Sequence, residues 1–541
     1  VEPLATPPAT AGTAVTLTAS ATGTGLSYRW DFGDGSAPTA YAASPTVTHT
    51  WSGAGLYTVT LTVRDAGGAT VVRTSVQQVN ASVVAAASAS SSLAVERRGA
   101  SHRLWVVNPD HDTVSVIDPA TRTRVAEIAV GAAPRTVAVA PDGRVWVANR
   151  DAASLSVVDP ATLRVVATHA LPRASQPFGV AFAPDGSAWV VLEALGRVLR
   201  VDAGGAVRAS VDVGPNPRHL AVTGDGARVL VSRFVTPPLP GESTASVRPA
   251  GAGGEVVVVG TASGTVERTV VLAHSDAPDT TVSGRGVPNY LGAPAIAPDG
   301  RSAWIPSKQD NLLRGALRDG QPLDFQNTVR AISSLVDLGA MAEVPAARVD
   351  HDNASVASAA AFHPSGRFVF AALETSRQVA VIDVATRREL MRVEADLAPQ
   401  GVAASPDGQR LYVHNFMARS VGVYDLGTLV ATGATQVPLV GTVATVATER
   451  LSATVLRGKR LFYDARDPRL ARDAYMSCAS CHNDGGHDGR VWDLSGFGEG
   501  LRTTASLRGR SGGQGRLHWS ANFDEVQDFE GRSGASPAAP D

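Results

Sequence analysis

VSVIDPATRTRV (Val114–Val125), LSVVDPATLRVV (Leu155–Val166) and VAVIDVATRREL (Val379–Leu390) are one phrase written three times. Each alternates apolar and polar residues, turns at an Asp, and resumes with Arg and β-branched residues, which is the pattern of two strands joined by a tight turn. A second phrase precedes or follows each copy: APDG at Ala140–Gly143, Ala183–Gly186 and Ala297–Gly300, SPDG at Ser405–Gly408, and the looser TGDG at Thr223–Gly226 and HPSG at His363–Gly366. Successive turn Asp or Ser residues lie 43, 40, 74, 66 and 42 positions apart. A period of about 40 residues with four short strands is one blade of a β-propeller. Strand pairs beginning near residues 104, 144, 187, 227, 301, 367 and 409 predict seven blades over residues 101–451. The longer intervals hold insertions around Val235–Gly254, Ala273–Leu291 and Gln321–Asn353.

Upstream, residues 1–80 carry short alternating runs, among them Ala14–Ala19 and Tyr57–Val63, separated by Gly and Asp. They predict a small β-sandwich, with Trp30 plugging its core. WDFGDG (Trp30–Gly35) and GLYTVTLTVRD (Gly55–Asp65) resemble the PKD domain, an immunoglobulin-like module of extracellular proteins. The resemblance implies a spacer or adhesive unit. Residues 81–100, rich in Ala and Ser, read as a flexible linker. The repeated phrases downstream resemble the YVTN-type propellers. The expected fold is therefore mainly β: a sandwich, a seven-bladed propeller and a small α-helical domain at the end.

Composition agrees. The 541 residues suggest three or four units, and 44% hydrophobic against 18% charged residues exclude wholesale disorder. With 53 glycines and 33 prolines the chain has the turn residues of an all-β protein. A formal charge of -2 excludes a global basic field for nucleic acid or an anionic membrane. No apolar run approaches the roughly 20 residues of a membrane helix. A chain beginning at Val1 fits an exported protein whose leader has been removed.

By strand counting, the PDG and DPAT turns share one propeller face. The opposite face collects Asp110, His111, Arg135, Arg150, Arg218, His219, Arg233, Lys308, Asp310, Glu374, Gln400 and His414. It reads either as a binding face for a ligand or protein or as ordinary polar loops. Asp350, His351 and Asp352 invite a metal, but side chains alternate along an extended segment, so a solvated loop is expected. The same caution covers His274 and Asp276.

The only two cysteines stand in Cys478-Ala-Ser-Cys481-His482, a C-x-x-C-H sequence, the attachment site of c-type haem. Two thiols at i and i+3 add to the two vinyl groups, and the adjacent His482 is the proximal iron ligand. Zinc would need further ligands, and no other Cys exists. Upstream, Val455–Tyr463 has helical spacing and resembles the first helix of cytochrome c domains. Downstream, Gly500–Arg510 and Leu517–Glu530 resemble the haem domains of bacterial di-haem cytochrome c peroxidases and their methylamine-utilisation relatives. Arg502, Thr504, Ser506 and Leu507 stand in the first stretch, and Trp519, Asp524 and Glu525 in the second. That resemblance implies a glutamate, here Glu525, as acid/base toward peroxide if the sixth iron position is open. Those peroxidases use two haem sites, whereas this chain has one.

Distal-ligand candidates are His487, His518, Met417 and His414, or no protein ligand. Arg457, Lys459 and Arg460 either pair with haem propionates or form a solvated helix face. Three functions are expected from this sequence. The first is a periplasmic or extracellular cytochrome that carries electrons through one covalent haem to a redox partner protein. The others are a peroxidase- or oxidase-like haem enzyme and a cell-surface binding protein with an accessory haem.

Overall fold

The computed structural model describes residues 1–82, 86–244, 252–313, 328–471, 473–495 and 500–508. Residues 1–80 form two small sheets. One orders Ala9–Thr10, Thr70–Asn80, Gly55–Arg64 and Ser27–Asp31, and the other pairs Ala14–Thr18 with Thr46–Thr50. Alternation sends Trp30, Val59, Leu61 and Trp51 into a shared core. The GDG turn has a steric reason. Gly33 sits at φ +71°, and a Cβ there would lie 2.4 Å from the Thr58 carbonyl oxygen.

Among the described residues, seven sheets follow between Ser88 and Ala444. Their second strands begin at Ser101, Val145, Ala188, Arg228, Ser302, Phe368 and Arg410, each within three residues of the expected starts. Each sheet lays its innermost strand against that of a neighbour, and Pro399–Ala404 returns to Leu93–Arg98, closing a ring. The repeat repeats its chemistry. Trp105, Trp146, Trp189 and Trp304 occupy the same second-strand position and are fully buried between sheets. Asn108, Asn149 and Asn415 end such strands and donate from Nδ2 to hydroxyls of the next strand: Thr113 and Ser115, Ser154 and Ser156, and Ser420.

Within the expected linker of residues 81–100, the part from Ser88 on is not a linker. Leu93–Arg98 is the innermost strand of the first sheet, and Ser88–Ala89 pairs with Ala221–Val222 of the fourth. Between them the chain runs inside the ring. Ser90 donates its backbone N–H to the Leu220 carbonyl, Ser91 accepts from the Val137 N–H, and Ser92 Oγ meets His414 Nδ1 at 2.9 Å. The space explains the composition. A Cβ at Gly401 would stand 2.4 Å from Ser92 Oγ, and one at Gly179 3.1 Å from Ser90 Oγ. Small side chains here answer a narrow channel, not a need for flexibility.

The sandwich abuts the turn face, where Gln78 Nε2 donates to the Asp407 carbonyl at 2.6 Å. The described residues after Leu451 lie on the opposite face. They form helices Ala453–Tyr463 and Ala479–His482 and a hairpin of Val491–Asp493 with Leu501–Thr503. No hydrophobic cluster among the described residues belongs to them alone. Tyr463 and Ala479 pack with Ala398, Phe416 and Met417 of the propeller, and Trp492 with Leu239, Val287 and Leu312. The expected separate helical domain is thus, as far as described, a segment docked on the ring. No described helix is long and apolar enough to cross a membrane.

Candidate functional site

The C-x-x-C-H turn sits at the mouth of the ring. Ala479–His482 is one helical turn, with the His482 N–H donating to the Cys478 carbonyl at 2.9 Å. Such a short helix leaves its terminal carbonyls without partners. The propeller supplies them: Lys308 Nζ donates to the Ser480 carbonyl at 2.8 Å, and Tyr290 OH to the Cys481 carbonyl at 2.5 Å. Ser480 Oγ bonds Ser355 Oγ at 2.7 Å. Ala479 is buried in one apolar cluster with Ala398, Phe416, Met417 and Tyr463.

Both thiols are free; Cys478 is exposed and Cys481 half-buried. Burial pushes the Cys481 thiol up from the ordinary thiol range. His482 Nδ1 donates to the Gly486 carbonyl at 3.2 Å, and burial lowers its pKa. A neutral imidazole with Nδ1 protonated carries its lone pair on Nε2. A metal-ligating His commonly has its other ring nitrogen held by such a carbonyl. Two free thiols one turn apart and an oriented neutral His are the donor set a c-type haem needs, so these residues fit the group.

Beneath Cys481 lies a buried charge cluster. Lys308 Nζ is 3.0 Å from Asp310 Oδ1 and 3.2 Å from Asp488 Oδ2, and all three side chains have zero exposure. Burial opposes the ammonium, but Asp310 and Asp488 outweigh it and raise the Lys308 pKa. Burial, with Asp488 adding to it, holds the Asp310 carboxyl above its usual range against the pull of Lys308. Asn289 Nδ2 ties the cluster together, donating at 2.8 Å to both Asp310 Oδ2 and the Asp488 carbonyl. Farther along, Arg490 pairs with Glu242 at 3.2 Å and donates to the Thr236 carbonyl.

A second cluster fills the centre of the mouth. Asp484 Oδ1 accepts from Arg135 and from Tyr463 OH, both at 3.2 Å, and Oδ2 from Arg218 at 3.3 Å. Glu193 takes Arg218 at 2.7 Å and Arg150 at 3.4 Å. Burial works against the Asp484 anion, but Arg135 and Arg218 prevail and hold its pKa far below the carboxylate range. Asp484 also adopts φ +54°, a left-handed conformation that Asp tolerates better than most residues. Below it, a cavity of about 60 Å³ is bounded by Ser90–Ser92, His219, Glu374, Gln400 and His414. Glu374, bonded to Gln400 Nε2 at 2.7 Å, is pushed by burial up to about 7.

The expected loop-face residues divide. Arg135, Arg150, Arg218, Lys308, Asp310, Glu374 and Gln400 meet the C-terminal segment or brace those that do. Asp110 holds Lys459 at 2.5 Å and Arg419 at 2.6 Å, and His111 faces Glu449 at 3.2 Å. His219 and His414 line the cavity, both lowered by burial to about 3. Arg233 pairs with Glu255 away from it. The reading missed Glu193, Tyr290, Tyr463, Asp484 and Asp488.

Other expectations change. Lys459 and Arg460 are not on a solvated face: the first pairs with Asp110 and the second donates to the Met417 carbonyl at 3.2 Å, while Arg457 is exposed. Residues 349–351 are a strand rather than a solvated loop. His351 is buried between Ser333 and Glu389, at 2.9 and 2.6 Å, while Asp350 and Asp352 face Arg330, at 4.0 and 3.4 Å. No metal-holding group of three His, Cys, Asp or Glu occurs among the described residues. His274 lies 3.6 Å from an exposed Asp276. His487 is exposed, Met417 is buried in the apolar cluster that includes Ala479, and His414 bonds Ser92. His518, Trp519, Asp524 and Glu525 lie outside the described residues.

Residues 4–78 match the PKD domain, and residues 59–233 match a YNCE-like beta-propeller. The chain contains both, and the fold puts residues 59–80 in the sandwich sheet. Similar solved structures include three. Hydrazine synthase of Kuenenia stuttgartiensis shares 19% identity at a TM-score of 0.48, over 60% of this chain and 92% of that one. A dihydro-heme d1 dehydrogenase shares 18% at 0.41, over 71% of each chain. A streptogramin B lyase shares 13% at 0.41, over 60% of this chain and 90% of that one. No curated protein matches the sequence.

Proposed function

We propose that the chain is an exported c-type cytochrome, periplasmic or extracellular, that passes electrons to a redox partner protein. The seven sheets are read as seven blades, and their mouth as the cradle of the haem-bearing turn. Cys478 and Cys481 hold one haem c covalently, and His482 Nε2 is the proximal ligand. A haem bound there supplies reversible one-electron exchange between ferric and ferrous iron. Lys308 and Tyr290 fix the last turn of the Cys478–His482 helix, and the Gly486 carbonyl keeps Nδ1 protonated. The observation that carries this reading is the oriented, neutral His482 directly after two free thiols one turn apart.

The test is an optical spectrum of the full chain, matured with haem, oxidised and reduced, with and without carbon monoxide. The expected result is a low-spin c-type spectrum that survives acid extraction and is lost in Cys478→Ala/Cys481→Ala. A matured chain without covalent haem refutes the reading. A carbon monoxide-binding high-spin spectrum moves it to peroxidase-like chemistry.

A further inference from the structure

We infer that the mouth of the propeller is a binding site for a small carboxylate, and that Asp484 occupies it in cis, closing the channel. The site is built by the ring. Arg135 and Arg218 lie one residue after Pro134 and Pro217, at equivalent points where innermost strands of two sheets begin. Arg150 enters from the turn that joins Val145–Asn149 to Ser154–Asp159 in the same sheet as Arg135. Arg218 is stacked on Phe234, 3.5 Å from its ring centre, with Phe178 at 4.8 Å. These walls keep the guanidiniums in place and out of water.

The propeller sets Glu193 against Arg218 and Arg150, and a largely exposed Asp151 lies 3.6 Å from Arg150, so two carboxylates of its own face three cations. Glu374 lies across the cavity with a carboxyl held near neutrality by burial. Two buried guanidiniums and a half-buried one, with two facing anions of which one is exposed, leave a net positive charge, and a planar carboxylate between Arg135 and Arg218 completes the site. The C-terminal segment delivers that carboxylate from a residue in left-handed conformation, and its contacts are loose. All three are 3.2–3.3 Å long, whereas charge-assisted bonds favour about 2.7–2.9 Å. The polar cavity beneath has room for about two waters and lets a free carboxylate seat deeper than a tethered one. This inference stands whether or not haem is bound.

The experiment uses the full chain with Asp484→Gly, which keeps the left-handed backbone and removes the carboxylate. Formate and acetate are titrated against chloride and nitrate at equal ionic strength, with thermal midpoint and line broadening of ¹³C-formate as readouts. The expected result is a saturable rise in midpoint with formate in the millimolar range, absent for chloride. The unaltered chain should not respond, because tethered Asp484 competes at high effective concentration. Adding Arg135→Gln should weaken formate by about tenfold or more, the worth of one hydrogen bond to a charged group. A folded Asp484→Gly variant with no saturable response, or an equal response to chloride, overturns the inference. If that variant is recovered unfolded, refolding with and without formate decides: rescue supports the site and its absence overturns it. Haem content, read separately from the spectrum, keeps the outcome distinct from that of the proposed function.

Discussion

Replacing Lys308 by Met tests what holds the C-x-x-C-H turn on the ring. Met matches the length and apolar stem of Lys but removes the cation, leaving Asp310 and Asp488 buried together. Breaking a buried ion pair by removing one partner costs about 3–5 kcal/mol. Undocking residues 478–490 relieves that cost, since it returns both carboxylates to water. The loss therefore falls on docking rather than on the ring. At about 1.4 kcal/mol per factor of ten, it lowers the docking constant by roughly 10² to 10³ or more. Amide hydrogen exchange across Cys478–Arg490 reads it directly, because the N–H groups of His482 and Gly486 are bonded within the segment. The loss also depends on pH. Without the cation, docking raises a carboxyl pKa, so the docked state binds the extra proton and docking weakens as pH rises. Adding Asp310→Asn should restore most of the protection. Unchanged exchange in Lys308→Met, or a loss independent of pH, would refute the assignment of docking to this cluster.

Two further outcomes follow from the channel. Glu374, 2% exposed, has a carboxyl raised by burial from 4.5 to about 7, so the folded state binds the proton and its stability declines as pH rises from about 4.5 past 7. Glu374→Gln should thus gain up to about 3 kcal/mol over the native chain at pH 8 and little at pH 4.5 in parallel urea titrations; an equal change at both pH values would refute it. Gly401→Ala drives a methyl toward Ser92 Oγ, 2.4 Å away, and should cost about 1–3 kcal/mol. Ser92→Gly in the same chain should recover much of that, as a double-mutant cycle of thermal midpoints would show.

The ring was legible because its turns recur. Each PDG sequence reverses the chain at a glycine with positive φ, as at Gly143 (φ +87°), and the Asp before it bonds the backbone beyond. The grouping of Cys478, Cys481 and His482 on one helical turn was legible because their spacing is local. Ser88–Ser92 does not read as ordered from sequence because Ala and Ser have weak periodicity, and what selects them is strands far away in sequence, at Gly179, Leu220 and Gly401. Asp484 and Asp488 were missed for a related reason: in a Gly-rich stretch an Asp looks solvated until a cation is found for it. The signal was available on the ring, where Arg135 and Arg218 recur after equivalent prolines and one of only two lysines falls mid-strand at 308. Buried charges in strands require partners, and a second chain region had to supply them.

The strand threaded through the ring also acts as a gauge. Propellers can gain or lose a blade by repeat duplication, and the axial opening widens or narrows accordingly. Here Ser88–Ser92 touches the second, third, fourth and seventh sheets within hydrogen-bond distance. One more sheet would pull those contacts apart, and one fewer would leave no room for the thread. Ser92 waits 322 residues for His414, so the ring is measured by a segment made before any blade exists. A duplicated or deleted repeat in this chain therefore loses its axle along with its symmetry.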